Sequence, residues 1–367
     1  LYSEETYWIW LSSVPGIGPN RFYKLIEMFG NAYNVWQAVS SDKSQAIGVL
    51  DAKSWNSLRQ SCNEQYIQLL LDKLYKNDVN AVLLSSPSYP SNLKNIYNPP
   101  PVLYMKGNVD DNTDRLALAV VGTRRCSAYG RAVVDKLCPP LVEAGITIIS
   151  GMARGVDGLA HRAAIQSNGR TIAVLGSGVD RIYPPEHRQL YYDIILHGAV
   201  VSEFPPGMEP IRNNFPQRNR VISGLSMATL VIEAGDKSGA LITADFALEQ
   251  GRDVMAVPGN ITSANSIGTN RLIKQGAKPV TNADDILEEF GINIVNSMIA
   301  GKKMDNYQLT IDEQKVLAFF EDGQSIDAEK LCELSKMGIA QVNALLTSLE
   351  IKGIIKQLAG TLFVKTL

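Results

Sequence analysis

The sequence predicts an α/β protein: a Rossmann-like, doubly wound parallel sheet. A small helical domain (SAM or helix-hairpin-helix-like) precedes it, and a winged-helix domain follows. Three observations predict this. Between residues 115 and 290, short β-branched runs alternate with helical stretches. Those runs are apolar on both faces, as strands of a sheet covered on each side must be. The flanking segments lack the alternation and carry helical periodicity instead.

Residues 1–80 read as helices. Trp8, Ile9, Leu11 and Val14 precede a Gly-Pro turn, Phe22, Leu25, Ile26 and Phe29 follow at helical spacing, and Leu69, Leu70, Leu71 and Leu74 belong to a further helix. The turn Val14-Pro15-Gly16-Ile17-Gly18-Pro19-Asn20-Arg21 looks like that of a helix-hairpin-helix, where glycines let backbone amides approach a phosphate. The reading as a tight turn between packed helices is the favoured one, since only Arg21 and Lys24 add charge nearby. Residues 81–295 form the expected sheet domain. It opens with a proline-rich connector and a short strand at Val102-Leu103-Tyr104-Met105. Six core strands follow, at Leu116–Val121, Ile146–Ser150, Thr171–Leu175, Val200–Glu203, Leu230–Glu233 and Val254–Val257. Helices between them include Tyr129–Glu143, Val156–Gln166 and Ala240–Glu249. A weakly patterned linker, Asn296 to Asn306, leads to residues 305–367. There, three helices and a ribbon turning at Ala359-Gly360 suggest a winged helix. The stretch Gly338 to Leu349 that would read DNA has no Lys or Arg, and residues 301–367 carry 8 basic against 9 acidic side chains. Duplex binding by this module is therefore disfavoured, and contact with another protein is expected.

Composition narrows the function. Of 367 residues, 45% are hydrophobic and 20% charged, a globular balance. With a formal net charge of −2, bulk attraction does not explain binding to a polyanion; a local cluster or backbone donors must. No apolar run approaches the ~20 residues of a membrane span, and the first five residues lack the basic start and apolar run of a secretory signal. Four scattered cysteines without a C-x-x-C pair read as reduced thiols, and three histidines lack metal-ligand spacing. A cytoplasmic chain with no metal or cofactor is expected.

Ligands of open α/β sheets bind beyond the carboxyl ends of the strands, at helix N-termini. Several turns fall there. Gly122, Thr123 and Arg124 follow the first core strand; Ser150, Gly151 and Gly155 belong to the turn after the second; Gly176-Ser177-Gly178 ends the third. Lys237, Ser238 and Gly239 follow the fifth, and Pro258-Gly259-Asn260 ends the sixth. Each is weak alone, but together they suit a ligand with more than one phosphate. The fourth crossover separates the alternatives: Arg212, Arg218 and Arg220, several amides including Asn219, and one aromatic, Phe215, fall within eleven residues. Arginines interleaved with a ring suit a single strand of nucleic acid, whose phosphates they hold while the ring stacks on a base. The competing view is an arginine-rich loop satisfied by Glu203 or Glu233.

These residues resemble bacterial DNA-processing protein A, the DprA/Smf family. The likeness rests on Tyr89-Pro90, Val121-Gly122-Thr123-Arg124, and Ser150-Gly151-Met152-Ala153-Arg154-Gly155-Val156-Asp157 with Ala160-His161. It continues through Tyr183-Pro184, Phe215-Pro216-x-Arg218-Asn219-Arg220, Ser238-Gly239-Ala240-Leu241-Ile242-Thr243, Val257-Pro258-Gly259 and Gly268-Thr269-Asn270. The resemblance implies a non-enzymatic protein that binds single-stranded DNA during natural transformation. It also implies a homodimer formed through the Rossmann core, protection of incoming DNA, and loading of the RecA recombinase. In that family the positions matching Arg124 and Arg212 contact DNA, and the one matching Phe215 stacks on a base. Where relatives can carry a strand-holding lysine after Tyr-Pro, this chain has Pro185, so that contact is expected to be absent or taken over by Arg188.

The leading alternative is a nucleotide-cleaving phosphoribohydrolase of the lysine-decarboxylase-like type. Its Pro-Gly-Gly-x-Gly-Thr-x-x-Glu motif would need an acid where this chain has Thr243. Asp157 and His161, four apart on one helix, are the remaining candidate acid–base pair. No G-x-S-x-G, Walker A or G-x-G-x-x-G motif supports hydrolase, ATPase or dehydrogenase chemistry.

Overall fold

The structure, a computed structural model, describes residues 2–41, 48–292, 310–320, 325–351, 354–357 and 361–365. The linker expected at 296–306 and the ribbon turn at 359–360 lie outside the described residues. Two compact units are present, Leu1–Ile286 and Leu287–Leu367.

The first unit is built on a nine-stranded sheet: β1 Asn80–Leu83, β2 Val102–Gly107, β3 Ala117–Val121, β4 Thr147–Ser150, β5 Thr171–Val174, β6 Gly198–Ser202, β7 Ala228–Val231, β8 Asp253–Ala256 and β9 Lys278–Pro279. Their order is β1-β2-β6-β5-β4-β3-β7-β8-β9. From β6 to β9 all pairings are parallel, whereas β2 pairs antiparallel with β6 and β1 with β2. The doubly wound parallel sheet expected from the sequence is thus present, and β2 and β1 extend it antiparallel along the β6 edge. The strands β3, β4, β5 and β6 run outward in one direction and β7, β8 and β9 in the other. The topological switch point therefore lies between β3 and β7, where a crevice opens at the carboxyl ends.

The central strands β3 to β7 are buried along their whole length, and successive residues point to opposite faces. On one face Ala119, Val121 and Val174 pack with Val221, Ala244 and Leu272 from the helices Asn214–Leu225, Gly239–Glu249 and Ile267–Lys274. On the other, Ala173, Leu175 and Val200 meet Leu190 and Ile194 of the helix Arg188–His197. That face also receives Ile9, Leu70 and Leu74 from the helices Glu4–Ser13 and Glu64–Lys76. The N-terminal helices thus share a core with the sheet, and they keep one of their own around Trp10, Leu11, Phe22, Leu25 and Leu58. Expected and observed core strands agree within one or two residues. No helix among the described residues is long and apolar enough to cross a membrane.

The second unit holds helices Ile311–Leu317, Ala328–Ser335 and Ile339–Ile351 with a three-stranded sheet. Its first helix starts with a reciprocal cap: Thr310 Oγ accepts from the Glu313 amide, and the Glu313 carboxylate accepts from the Thr310 amide. The strands Ile355–Gln357 and Leu362–Lys365 form the expected ribbon. A third, Ser325–Asp327, joins it and gives the wing a partner that the sequence reading did not include.

Candidate nucleic-acid interface

A groove of about 780 Å³ occupies the switch point. Gly122, Thr123 and Arg124 enter it from the end of β3. Lys237, Ser238 and Gly239 enter from the turn after β7, and Arg212, Phe215 and Asn219 from the crossover between β6 and β7. Three loops far apart in sequence converge because β3 and β7 are neighbours while their connections leave in opposite directions.

Phe215 sits half-buried in the first turn of the helix Asn214–Leu225, which walls this cleft. It fits because Gly176 stands two residues beyond β5: a Cβ there would come within 2.9 Å of the ring. Tyr183 packs at 5.6 Å between centroids and 45° between planes. The guanidinium carbons of Arg124 and Arg218 lie 5.6 and 5.9 Å from the ring centroid, the range of cation–π attraction. The ring is thus held on its sides by protein and bordered by cations.

Four arginines were expected on phosphates, and the structure divides them. Arg124 and Arg212 are exposed on the groove, as is Lys237. Arg218 is only 4% exposed. Its Nη1 donates to the Gly151 carbonyl at 2.8 Å and to the Val174 carbonyl. Gly151 makes room for it, since a Cβ would meet the guanidinium at 2.7 Å. Burial pulls its pKa down to about 10, against the opposing pull of Asp157. Arg220 leaves the groove altogether, pairing with Glu203 and donating to the Asn98 carbonyl at 2.8 Å. The expectation that Arg218 and Arg220 grip phosphates is therefore corrected. The stretch is a helix from Asn214, whose 3.6-residue period turns Phe215 and Asn219 to the groove and Val221 and Leu225 to the sheet; Arg218 lies in the groove's wall, but its guanidinium is spent on the Gly151 and Val174 carbonyls.

The turn after β4 also differs from its expected role. Ser150 is fully buried and donates to the Val120 carbonyl at 2.6 Å, and Gly155 packs against Thr123 and Arg124 backbone. The anion that this turn holds is the chain's own: Asp157 accepts from the Gly151 and Ala153 amides at 3.2 and 3.4 Å. Burial raises its pKa, and the Arg218 charge opposes the rise. Ser150, Gly151 and Gly155 thus brace the groove from behind. Glu233, the other acid near the strand ends, caps the helix Ala128–Glu143, accepting from the Ser127 amide at 2.9 Å and hydroxyl at 2.6 Å. Of the residues lining the groove, Asp157 is the one acid.

His161, the imagined partner of Asp157 in acid–base chemistry, is fully buried and meets Thr171 Oγ1 at 2.6 Å. Burial drives its pKa down to about 3, so it is a neutral packing group. Pro185 and Arg188 are exposed, and neither lines the groove. In the N-terminal turn, Arg21 pairs with Asp51 at 2.6 Å and donates to the Gly16 carbonyl and Ser54 hydroxyl, bracing the turn. Tyr183 and Asn265 also line the groove without having been singled out for it. The Tyr-Pro motif was a signal for the first; nothing in the sequence marks the second.

Comparison with known proteins bears on this geometry. Residues 80–291 match the family described as DNA recombination-mediator protein A, and residues 301–361 match the DprA winged helix domain. Protein Smf of Synechocystis sp. is 39% identical over 292 residues, 79% of this chain and 73% of that protein. DNA processing protein DprA of Bacillus subtilis is 45% identical over 211 residues, 58% of this chain and 71% of that one. Among solved structures, DNA processing protein A of Streptococcus pneumoniae superposes with a TM-score of 0.65 at 32% identity, covering 79% of this chain and 98% of its own. The Helicobacter pylori protein of that name, whose structure describes a single-stranded DNA binding mode, gives 0.52 at 27% identity over 58% of this chain and 95% of that one.

Proposed function

On the premise that the chain belongs to the DNA recombination-mediator protein A family, we propose that it binds single-stranded DNA in the switch-point groove without cleaving it. The observation that carries this reading is the trio Arg124, Arg212 and Lys237, exposed around a half-buried Phe215. Backbone cations and a ring favour an unpaired strand, because every base offers a π face while the phosphates repeat. The binding mode described for the Helicobacter pylori relative supports it. A binder is favoured over a nucleotide-cleaving enzyme because the groove's one acid is held inside by backbone amides. Following the family, the protein acts in the cytoplasm as a homodimer through its sheet unit, protects incoming DNA during natural transformation and loads RecA recombinase. Those steps are tested by light scattering and by the rate of RecA filament formation on single strands.

The central experiment is a salt titration of oligothymidylate binding. Base stacking is worth roughly 1–3 kcal/mol, and each neutralised phosphate adds about 0.7 to the log–log salt slope of a single strand. Phe215→Ala is expected to weaken binding with the slope unchanged, and Arg212→Ala to flatten the slope by about that amount. Equal slopes for wild type and Arg212→Ala would refute the phosphate role. Release of free base from nucleoside monophosphates would support the phosphoribohydrolase instead.

A further inference from the structure

Two helices that wall the groove also wall a second concavity on their far side. A cleft of about 400 Å³ opens between the turn Gly16–Arg21 and the helices Asn214–Leu225 and Gly239–Glu249. Along the latter, Thr243 is the last residue on the groove and Phe246 the first on the cleft, ~4.5 Å of helix rise apart. Along the former, Asn219 borders the groove and its neighbour Arg220 the cleft. The groove and the cleft thus share these two helices as a common wall.

The chemistry of the cleft differs from that of the groove. Tyr97 stands at its edge, 84% exposed, and Phe246 forms part of its wall. Gln217, Glu249 and Gln250 supply polar edges. The Gln250 Nε2 donates to the Arg220 carbonyl at 2.9 Å, while its Oε1 is buried without a hydrogen-bond partner. Both cations of the lining are already engaged, Arg21 with Asp51 and Arg220 with Glu203. A phosphate would find no uncommitted cation among the lining residues. An uncharged, flat group with N–H donors would find two rings, the Glu249 carboxylate and the exposed Gln217 amide.

We propose that this cleft is a second nucleobase site, taking a base further along the strand whose neighbour stacks on Phe215. The inference rests on the single-strand reading of the groove and adds the N-terminal turn to the binding path as a wall, not as the phosphate clamp its glycines suggest.

The test uses the full chain and a set of oligothymidylates of one length, each with a single abasic residue at a successive position. Wild type is expected to show two sensitive positions, each weakening binding roughly five- to a hundredfold. Phe215→Ala should abolish sensitivity at one, and Tyr97→Ala, a change on the surface, at the other. Gln217→Ala should reduce the second without touching the first. A single sensitive position, controlled by Phe215, would overturn this inference and leave the groove reading standing. Uniform weakening by Tyr97→Ala at every position would overturn it too, because that would report a general change and not a lost contact. Absence of any position controlled by Phe215 would instead remove the groove reading itself.

Discussion

Arg212 and Arg218 stand six residues apart and meet opposite environments, one in solvent at the groove, the other sealed against β4 and β5. Their removal should therefore be read by different instruments. Arg218→Met leaves the Gly151 and Val174 carbonyls unpaired and Asp157 buried without its compensating charge. It is expected to cost about 3 kcal/mol of stability, measured as a lower denaturant midpoint. Arg212→Ala should leave that midpoint within about 0.5 kcal/mol of wild type. His161 gives a pH signature. Its folded-state pKa, about 3, lies below the ordinary 6.5, so the unfolded chain takes up the proton first. Its contribution is intact above pH 6.5, declines as the pH falls below that, by at most about 1.4 kcal/mol per pH unit, and stops declining below about 3. His161→Gln should flatten the stability profile across that window.

At the scale of elements, the ends of strands do the positioning. Gly176, two residues beyond β5, seats Phe215, so Gly176→Ala should push the ring out of register. Its DNA affinity should fall as in Phe215→Ala, with the salt slope unchanged; a fall in slope would mean that the backbone around Arg212 had moved as well. The helix Ala128–Glu143 is held at its start by Ser127, whose hydroxyl accepts from the Gly130 amide at 3.1 Å and donates to Glu233. Ser127→Ala should cost about 1 kcal/mol in thermal or denaturant unfolding. The core strands were legible because burial on both faces leaves uninterrupted β-branched runs. The edge strands β1 and β9 and the third strand of the wing were not. Each has two to four residues and is defined by the neighbour it pairs with, not by a pattern of its own.

For the molecule as a whole, the two compact units should divide the work. A chain ending at residue 292 retains the complete groove and cleft, and it should bind oligothymidylate with the affinity and salt slope of the full chain. A marked loss in a gel-shift comparison would show that the C-terminal unit contributes to the strand path. Residues 301–367, with 8 basic against 9 acidic side chains, should bind duplex DNA no better than the first unit does.

By itself, the sequence determined the fold class and the positions of the six core strands, and it singled out Phe215, Arg124 and Arg212, which the fold brings to one groove. Alternating apolar runs and glycine turns encode those features locally. What only the tertiary structure decided is which charges remain available. Helical phase turned Arg218 inward, a buried Glu203 claimed Arg220, and Asp157 filled the anion position of the turn after β4. A guanidinium is the same letter whether it meets water or a carbonyl. Its environment is set by partners tens of residues away in the chain, which come together once the sheet is assembled.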